Sequence, residues 1–220
     1  MIMLTGGSGI LGIEIKKRLD VWSPSHEEFN IIEPKKIPSS IDLIIHAAAY
    51  TNVNKAEQEK DICYKTNVVG TKNLSNVGIP VIYISTDSVF DGVTGNYKET
   101  DIPNPKNFYS FTKFLGEQML YDNDKIIRCC PKTYPWAHNV ACIDRFFSAE
   151  YVGQTADKIV KAVHNFHSLP RIVHIGSKRR SHYEMALETK PDVRPIEIDH
   201  YEVYRGKDTS LDCSLWNSLQ

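Results

Sequence analysis

The chain has 220 residues, 41% of them hydrophobic and 24% charged, with a formal net charge of −1 at pH 7. That length suits one domain with a sizeable core, and the balanced charge gives no electrostatic case for nucleic acid as a partner. No apolar run approaches the roughly 20 residues that span a bilayer, so no membrane partner is expected.

The N-terminus reads as a first strand rather than a signal peptide. Met1 to Thr5 is a short uncharged apolar run, and Gly6, Gly9 and Gly12 follow in a Thr-Gly-x-x-Gly-x-x-Gly turn. Leu11, Ile15 and Leu19 then fall on one helical face. Strand, glycine turn and helix start in this order suit a dinucleotide. Gly6 lets the chain turn sharply, Gly9 opens the backbone to a pyrophosphate, and Gly12 lets helix and sheet pack closely. The amides at the helix start then face the phosphates. Val21-Trp22 is a stub of strand. An acidic residue at its end would read a ribose 2′-hydroxyl and favour NAD. Ser23-Pro24-Ser25-His26 stands there instead, and Glu27 and Glu28 come later. NADP is therefore the preferred cofactor, with NAD still open.

Residues 41–46 form a second buried strand, ending in Ala47-Ala48-Ala49, small enough to leave room for a cofactor. Residues 54–59 start a helix, and residues 64–76 form a long one closed by Gly78. Asn67 lies inside it, where it either bonds backbone at a kink or faces solvent. Residues 80–85 are a buried strand that runs into Ser85-Thr86-Asp87-Ser88. Residues 91–105 read as loop, 108–120 as a helix carrying Tyr109 and Lys113, and 125–128 as a short strand. Beyond these, 131–140 is loop, 156–167 helix, 171–175 strand and 181–188 a short helix. Strands alternating with helices predict an α/β fold, a Rossmann-like doubly wound parallel sheet with a small C-terminal substrate lobe. Residues 1–220 read as one NAD(P)-binding domain. Residues 1–130 are its cofactor-binding core, and 131–220 hold the rest of the core and a reduced lobe.

The five cysteines, Cys63, Cys129, Cys130, Cys142 and Cys213, show no metal-ligand spacing. They read as reduced thiols in a cytoplasmic protein. His164 and His167 lie one helical turn apart with no third ligand, so no metal is expected. Lys178-Arg179-Arg180 reads as a solvated loop.

Tyr109 and Lys113 are four apart and share a helical face. The Lys113 ammonium is expected to lower the Tyr109 phenol pKa and to bond the nicotinamide ribose. Tyr109 can then donate a proton to a carbonyl oxygen while hydride arrives at carbon. Thr86, at the mouth of a central strand, can hold that same oxygen. Asp87 either holds substrate hydroxyls or caps a turn.

Four stretches carry a family resemblance. They are Thr5 to Gly12, Ala47 to Glu57, Ser85 to Gly92, and Tyr109 to Lys113 with Gly116-Glu117. Together they resemble the dTDP-4-dehydrorhamnose reductase family of extended short-chain dehydrogenase/reductases. The match is good up to about residue 130 and patchy afterwards, although Ser210-Leu211-Asp212 is similar to the family's closing segment.

The resemblance implies reduction of the C4 ketone of a nucleotide-linked 4-dehydro-6-deoxy sugar with a nicotinamide cofactor. It implies Thr86, Tyr109 and Lys113 as catalytic. Gly6, Ser8, Gly9, Ile10, Leu11 and Gly12 would hold the pyrophosphate. Ala47, Ala48, Thr51 and Ser85 would line the rest of the cofactor cleft, with Tyr109 and Lys113 also touching it. Thr86, Asp87 and Ser88 would meet the sugar. Whether the sugar carries dTDP or UDP stays open, as does a homodimer.

Departures from the family matter. Ser88 stands where the family usually has tyrosine, so a ring that could pack on the sugar is missing. Related bifunctional epimerase–reductases place a cysteine there, and its absence argues against 3,5-epimerase activity. The stretch from Arg128 to Ala156 lacks most of a helical segment of the family's substrate lobe. That shortening favours a rival reading, a non-catalytic NADP-binding protein similar to the regulatory subunit of methionine adenosyltransferase. An NAD-retaining sugar epimerase is a third.

Overall fold

A computed structural model describes residues 1–200 and 202–219. The first part of the chain holds β1 (Ile2–Thr5), α1 (Ile10–Lys16), β2 (Leu43–His46), α2 (Val53–Ala56), α3 (Lys60–Tyr64), α4 (Gly70–Ser75), β3 (Val81–Thr86), α5 (Phe108–Glu117) and β4 (Lys125–Cys129). Four short strands follow: β5 (Pro131–Lys132), β6 (Val140–Cys142), β7 (Phe146–Phe147) and β8 (Glu150–Tyr151). Then come α6 (Val152–His164), β9 (Ile172–His174), β10 (Arg180–Ser181), α7 (His182–Leu187), β11 (Arg194–Ile196) and α8 (Ser214–Ser218).

The main sheet has the order β1-β2-β3-β4-β9, and every pairing in it is parallel. Trp22 adds a parallel bridge to Met3, so the expected strand stub extends the sheet beyond β1. Its strands are mostly apolar because both faces are covered, with polar residues such as His46, Ser85, Thr86, Arg128 and His174 towards their carboxyl ends, and successive side chains point to opposite faces. Leu4, Ile45, Ile82, Ile84, Ile127 and Val173 pack on one face with Leu11 and Ile15 of α1 and Ala156 and Ile159 of α6. Met3, Ile44, Val81, Tyr83 and Ile126 pack on the other with Phe29, Ile31, Leu74 and Leu120. The expected doubly wound α/β architecture is the one observed.

Several local expectations are corrected. The long helix begins at Lys60 and contains a π-helical turn over Lys65–Val69. Asn67 sits in that turn, only 1% exposed. Its side chain accepts from Tyr50 N at 2.8 Å and donates to Tyr50 O and Thr112 Oγ1, so it bonds backbone rather than solvent. Helix α6 starts four residues earlier than its apolar pattern indicated, with the Tyr151 amide donating to Gln154 Oε1 at 3.2 Å. The stretch read as loop after residue 130 forms β5 and leads into β6.

Among the described residues no helix lies between β4 and α6. The short strands there pair with later ones, β6 with β11 and β7 with β10, and enclose a small core of Trp136, Phe147, Tyr151, Met185 and Val193. This is the second lobe. The chain end does not stay in it: Trp216 of α8, 3% exposed, returns to the α1–α6 face of the main sheet.

All five cysteines are free, and no group of residues suited to a metal occurs among the described residues. His164 and His167 are exposed. The basic cluster is more engaged than a solvated loop, since Arg179 pairs with Asp208 at 2.6 Å and Arg180 pairs with Glu188. No helix of the described residues is long and apolar enough to cross a membrane.

Candidate active site

The carboxyl ends of the main-sheet strands open into a cleft of about 1050 Å³. That is at the top of the roughly 300–1,000 Å³ range of small-molecule sites, a size that suits a ligand as long as a dinucleotide. All the expected cofactor residues line it: Gly6, Ser8, Gly9, Ile10, Leu11, Gly12, Ala47, Ala48, Thr51, Ser85, Tyr109 and Lys113. The three glycines do different jobs. Gly6 has φ +75°, and a Cβ there would meet Ala48 N at 2.5 Å. A Cβ on Gly12 would lie 2.2 Å from Gly6 O. The fold itself needs both. At Gly9 the φ is −73° and a Cβ would meet only Gly6 O, at 3.3 Å. Packing within the chain therefore presses on a side chain there far less than at Gly6 or Gly12, and its bare backbone lines the cleft.

Where the Trp22 stub ends, Lys16, Ser23, Ser25, His26 and Glu28 line the same cleft. Glu28 is the carboxylate that could read a ribose. Its Oε2 accepts from Ser25 N at 2.8 Å, and Glu28 N donates back to Ser25 Oγ at 3.3 Å. These bonds hold its carboxyl below the usual range and commit it to the turn.

Beneath the glycine turn runs a buried polar chain. Thr71 donates to Asn67 O at 2.7 Å, so its oxygen can only accept from His46 Nε2, 3.0 Å away. His46 Nδ1 then accepts from Thr5 Oγ1 at 2.8 Å. The ring is neutral, and burial, with Lys113 adding to it, pushes its pKa down to about 3. This chain ties β1, β2 and the π turn together.

Thr86 ends β3. Its Oγ1 donates to Asp87 Oδ1 at 3.1 Å and accepts from Ser88 N at 3.2 Å. Helix α5 begins at an Asn107 cap, whose Oδ1 accepts from Ser110 N at 2.8 Å. That start brings the Tyr109 phenol beside Thr86, the neighbour that favours its ionised form, and both line the cleft. Lys113, one turn on, is 2% exposed. Its Nζ donates to Ile84 O at 2.8 Å and sits 3.9 Å from the Tyr83 ring centroid.

The expected effect of Lys113 on Tyr109 is not what the structure gives. Burial raises the Tyr109 phenol well above its ordinary pKa, with only the Thr86 bond opposing. Burial also pushes Lys113 down to about 7, against the pull of Glu117. The physical reason is the direction of the lysine, turned inward to Ile84 O and Tyr83 rather than along the phenol. Desolvation decides both groups. Under them Glu117, 1% exposed, pairs with Arg128 at 2.8 Å and accepts from Ser85 Oγ at 2.6 Å.

Thr86, Asp87 and Ser88 also line the cleft. Both Asp87 oxygens already accept from hydroxyls of the chain, so Asp87 acts on its neighbours more than it offers a free acceptor. The far wall holds residues that the sequence reading passed over: Cys129, Cys130, Lys132, Arg145 and Arg205. Cys129 ends the parallel strand β4 and Cys130 and Lys132 follow it, which is a usable signal. Arg145 and Arg205 have no local signal, because only the lobe's pairings bring them to the cleft.

A parallel, doubly wound sheet with a glycine turn after β1 and a threonine–tyrosine–lysine group beyond β3 defines the Rossmann-like α/β class. Within that class, the chain belongs to the RmlD substrate binding domain family, whose model matches residues 1–129. A relative named dTDP-4-dehydrorhamnose reductase, from Aggregatibacter actinomycetemcomitans, is 37% identical over 135 residues, covering 54% of this chain and 46% of its own. Methionine adenosyltransferase 2 subunit beta of Bos taurus is 31% identical over 144 residues, covering 56% of this chain and 43% of its own. In sequence, then, the match spans a little under half the length of these relatives. A solved dTDP-4-dehydrorhamnose reductase from Bacillus anthracis, in complex with NADP, superposes with TM-score 0.84 at 25% identity, covering 99% of this chain and 92% of that one.

Proposed function

We propose that this chain is an NAD(P)H-dependent reductase of the C4 ketone of a nucleotide-linked 4-dehydro-6-deoxy sugar. One observation carries the reading. The Thr86 and Tyr109 hydroxyls meet at the end of a central strand, with Lys113 one turn behind, in the same cleft as the glycine turn. The relatives named as dTDP-4-dehydrorhamnose reductases support it.

The bare Gly9 backbone and the size of the cleft fit a nicotinamide dinucleotide. Gly6, Ser8, Gly9, Ile10, Leu11 and Gly12 would hold its pyrophosphate. Ala47, Ala48, Thr51 and Ser85 would line its path, and Lys113 would bond the nicotinamide ribose. A nicotinamide bound there would supply hydride to the ketone carbon. Tyr109 gives its proton to the ketone oxygen, and its raised pKa keeps that proton in place until the reaction calls for it. Thr86 holds the same oxygen. Ser88 faces the sugar, and Lys132, Arg145 and Arg205 supply positive charge for a sugar-linked diphosphate. NADPH is preferred, because Lys16, Ser25 and His26 stand at the ribose end while Glu28 is held in its turn. Five free thiols suit a cytoplasmic setting.

The test is oxidation of NADPH with a panel of dTDP- and UDP-linked 4-keto-6-deoxy sugars. Tyr109→Phe removes one hydroxyl and keeps the ring, so turnover falls on the order of a hundredfold or more while NADPH affinity holds. Turnover unaffected by Tyr109→Phe would remove this mechanism. The methionine adenosyltransferase subunit among the relatives keeps a second reading alive, a regulatory binding protein. Tight NADPH binding with no turnover of any sugar in the panel would favour it.

A further inference from the structure

We propose that Thr209, on the segment before α8, is a positioning residue for the reaction: it fixes the Asp87 carboxylate, and Asp87 fixes the hydroxyl of Thr86. The proposal rests on the reductase reading for its kinetic consequence but not for its geometry. Asp87 is 1% exposed. Its Oδ2 accepts from Thr209 Oγ1 at 2.8 Å. Its Oδ1 accepts from Thr86 Oγ1 at 3.1 Å and from Ser88 Oγ at 3.2 Å.

The direction of these bonds matters. Thr86 has one proton, and Asp87 takes it. Its oxygen accepts from Ser88 N. Before a ketone enters, the Thr86 proton thus rests on Asp87. When a ketone enters beside Tyr109, the Thr86 hydroxyl turns that proton from Asp87 to the ketone oxygen. A carboxylate turned away from Thr86 would leave the hydroxyl without this fixed starting orientation, and the ketone oxygen would lose one of its two donors.

Thr209 is well built for that task. It is 2% exposed, and its backbone is clamped by Thr209 N to Phe146 O at 3.0 Å. The adjoining Asp208 N donates to Gly92 O at 2.9 Å. Gly92 and Gly206 meet backbone to backbone, since a Cβ on Gly92 would lie 2.3 Å from Gly206 Cα. The Thr209 methyl packs into the same contact, 3.1 Å from that Cβ position. Methyl and hydroxyl therefore face different neighbours: the first seats the segment and the second reaches Asp87. Valine and serine separate the two.

Thr209→Val keeps the shape and removes the donor; Thr209→Ser keeps the donor and removes the methyl. The expected result is a fall in kcat of about tenfold for Thr209→Val, the scale of losing a hydrogen bond to a charged group. NADPH affinity and cofactor KM stay within about twofold, because no cofactor contact changes. Thr209→Ser keeps the wild-type kcat. Crystal structures of wild type and Thr209→Val supply a readout that needs no turnover: the Asp87 carboxylate of the variant rotates away from Thr86. Should Thr209→Val not fold, Thr209→Ala removes the same donor without adding bulk and takes its place. An unmoved Asp87 with unchanged kcat overturns the proposal, and so does a serine variant as impaired as the valine one. A wild type that turns over no sugar defeats the reductase reading instead, and the crystal comparison still decides what Thr209 holds.

Discussion

Residues 1–129 and the residues after them build opposite walls of one cleft by different means. In the first region the site groups sit at the ends of successive parallel strands: the glycines after β1, the alanines after β2, Thr86 at the end of β3, and Tyr109 and Lys113 on the helix that follows. Chain order becomes spatial order because each strand lies beside the next. In the second region Arg145 and Arg205 reach the cleft, and Thr209 reaches Asp87, beside strands of two or three residues that pair across long separations. A site on strand ends inherits its geometry from the sheet. A site on such a lobe inherits it from contacts that form only when everything else has folded.

If that contrast is right, the largest single stability loss should come from beneath the first wall. Glu117→Leu leaves Arg128 buried and unpaired, and is expected to cost about 3–5 kcal/mol by chemical denaturation. Glu188→Ala, which breaks the more exposed pair with Arg180 in the lobe, is expected to cost less than about 1 kcal/mol. Equal losses would break the comparison.

Acid should act next. Burial holds His46 at about 3 and His174 at about 4, both below the 6.5 of an unfolded histidine. The unfolded chain then binds more protons than the folded one, so stability is full above pH 6.5 and falls as pH drops through that value toward 4. Each ring should cost about 1.5 kcal/mol between pH 6.5 and 5, and buried His182 shifts in the same direction. Denaturation curves across that range check it. A stability that is flat down to pH 5 would show these rings are not held neutral.

The glycine turn sharpens the point within the first region. Gly12→Ala drives a Cβ into backbone and is expected to cost about 1–3 kcal/mol or more. Gly9→Val should leave the circular dichroism and melting temperature nearly as in wild type while NADPH binding falls at least tenfold. Equal destabilisation by both would mean Gly9 is only a turn residue. The smallest effect concerns the ribose end: Lys16→Ala should weaken NADPH by about 1–2 kcal/mol and leave NADH alone, read by paired titrations. A tenfold preference of wild type for NADH would end the NADPH reading.

What the amino-acid order determined by itself was the alternation of buried strands and helices, the position of the glycine turn, and which residues stand at strand ends. Those follow from periodicity and from the few residues able to make a sharp turn, both local properties. Asn67 shows where the local pattern stops: its type left a kink and a solvent-facing position equally open, and only the packed Tyr50 and Thr112 decided between them. Lys113 shows it again. Spacing placed it one turn from Tyr109, yet burial and the Ile84 carbonyl turned its ammonium inward and reversed the expected effect on the phenol. Arg145, Arg205 and Thr209 were decided by tertiary structure alone. Their places in the molecule depend on pairings between residues far apart in the chain, and no short stretch of sequence carries the free energy of a contact that its own neighbours do not make.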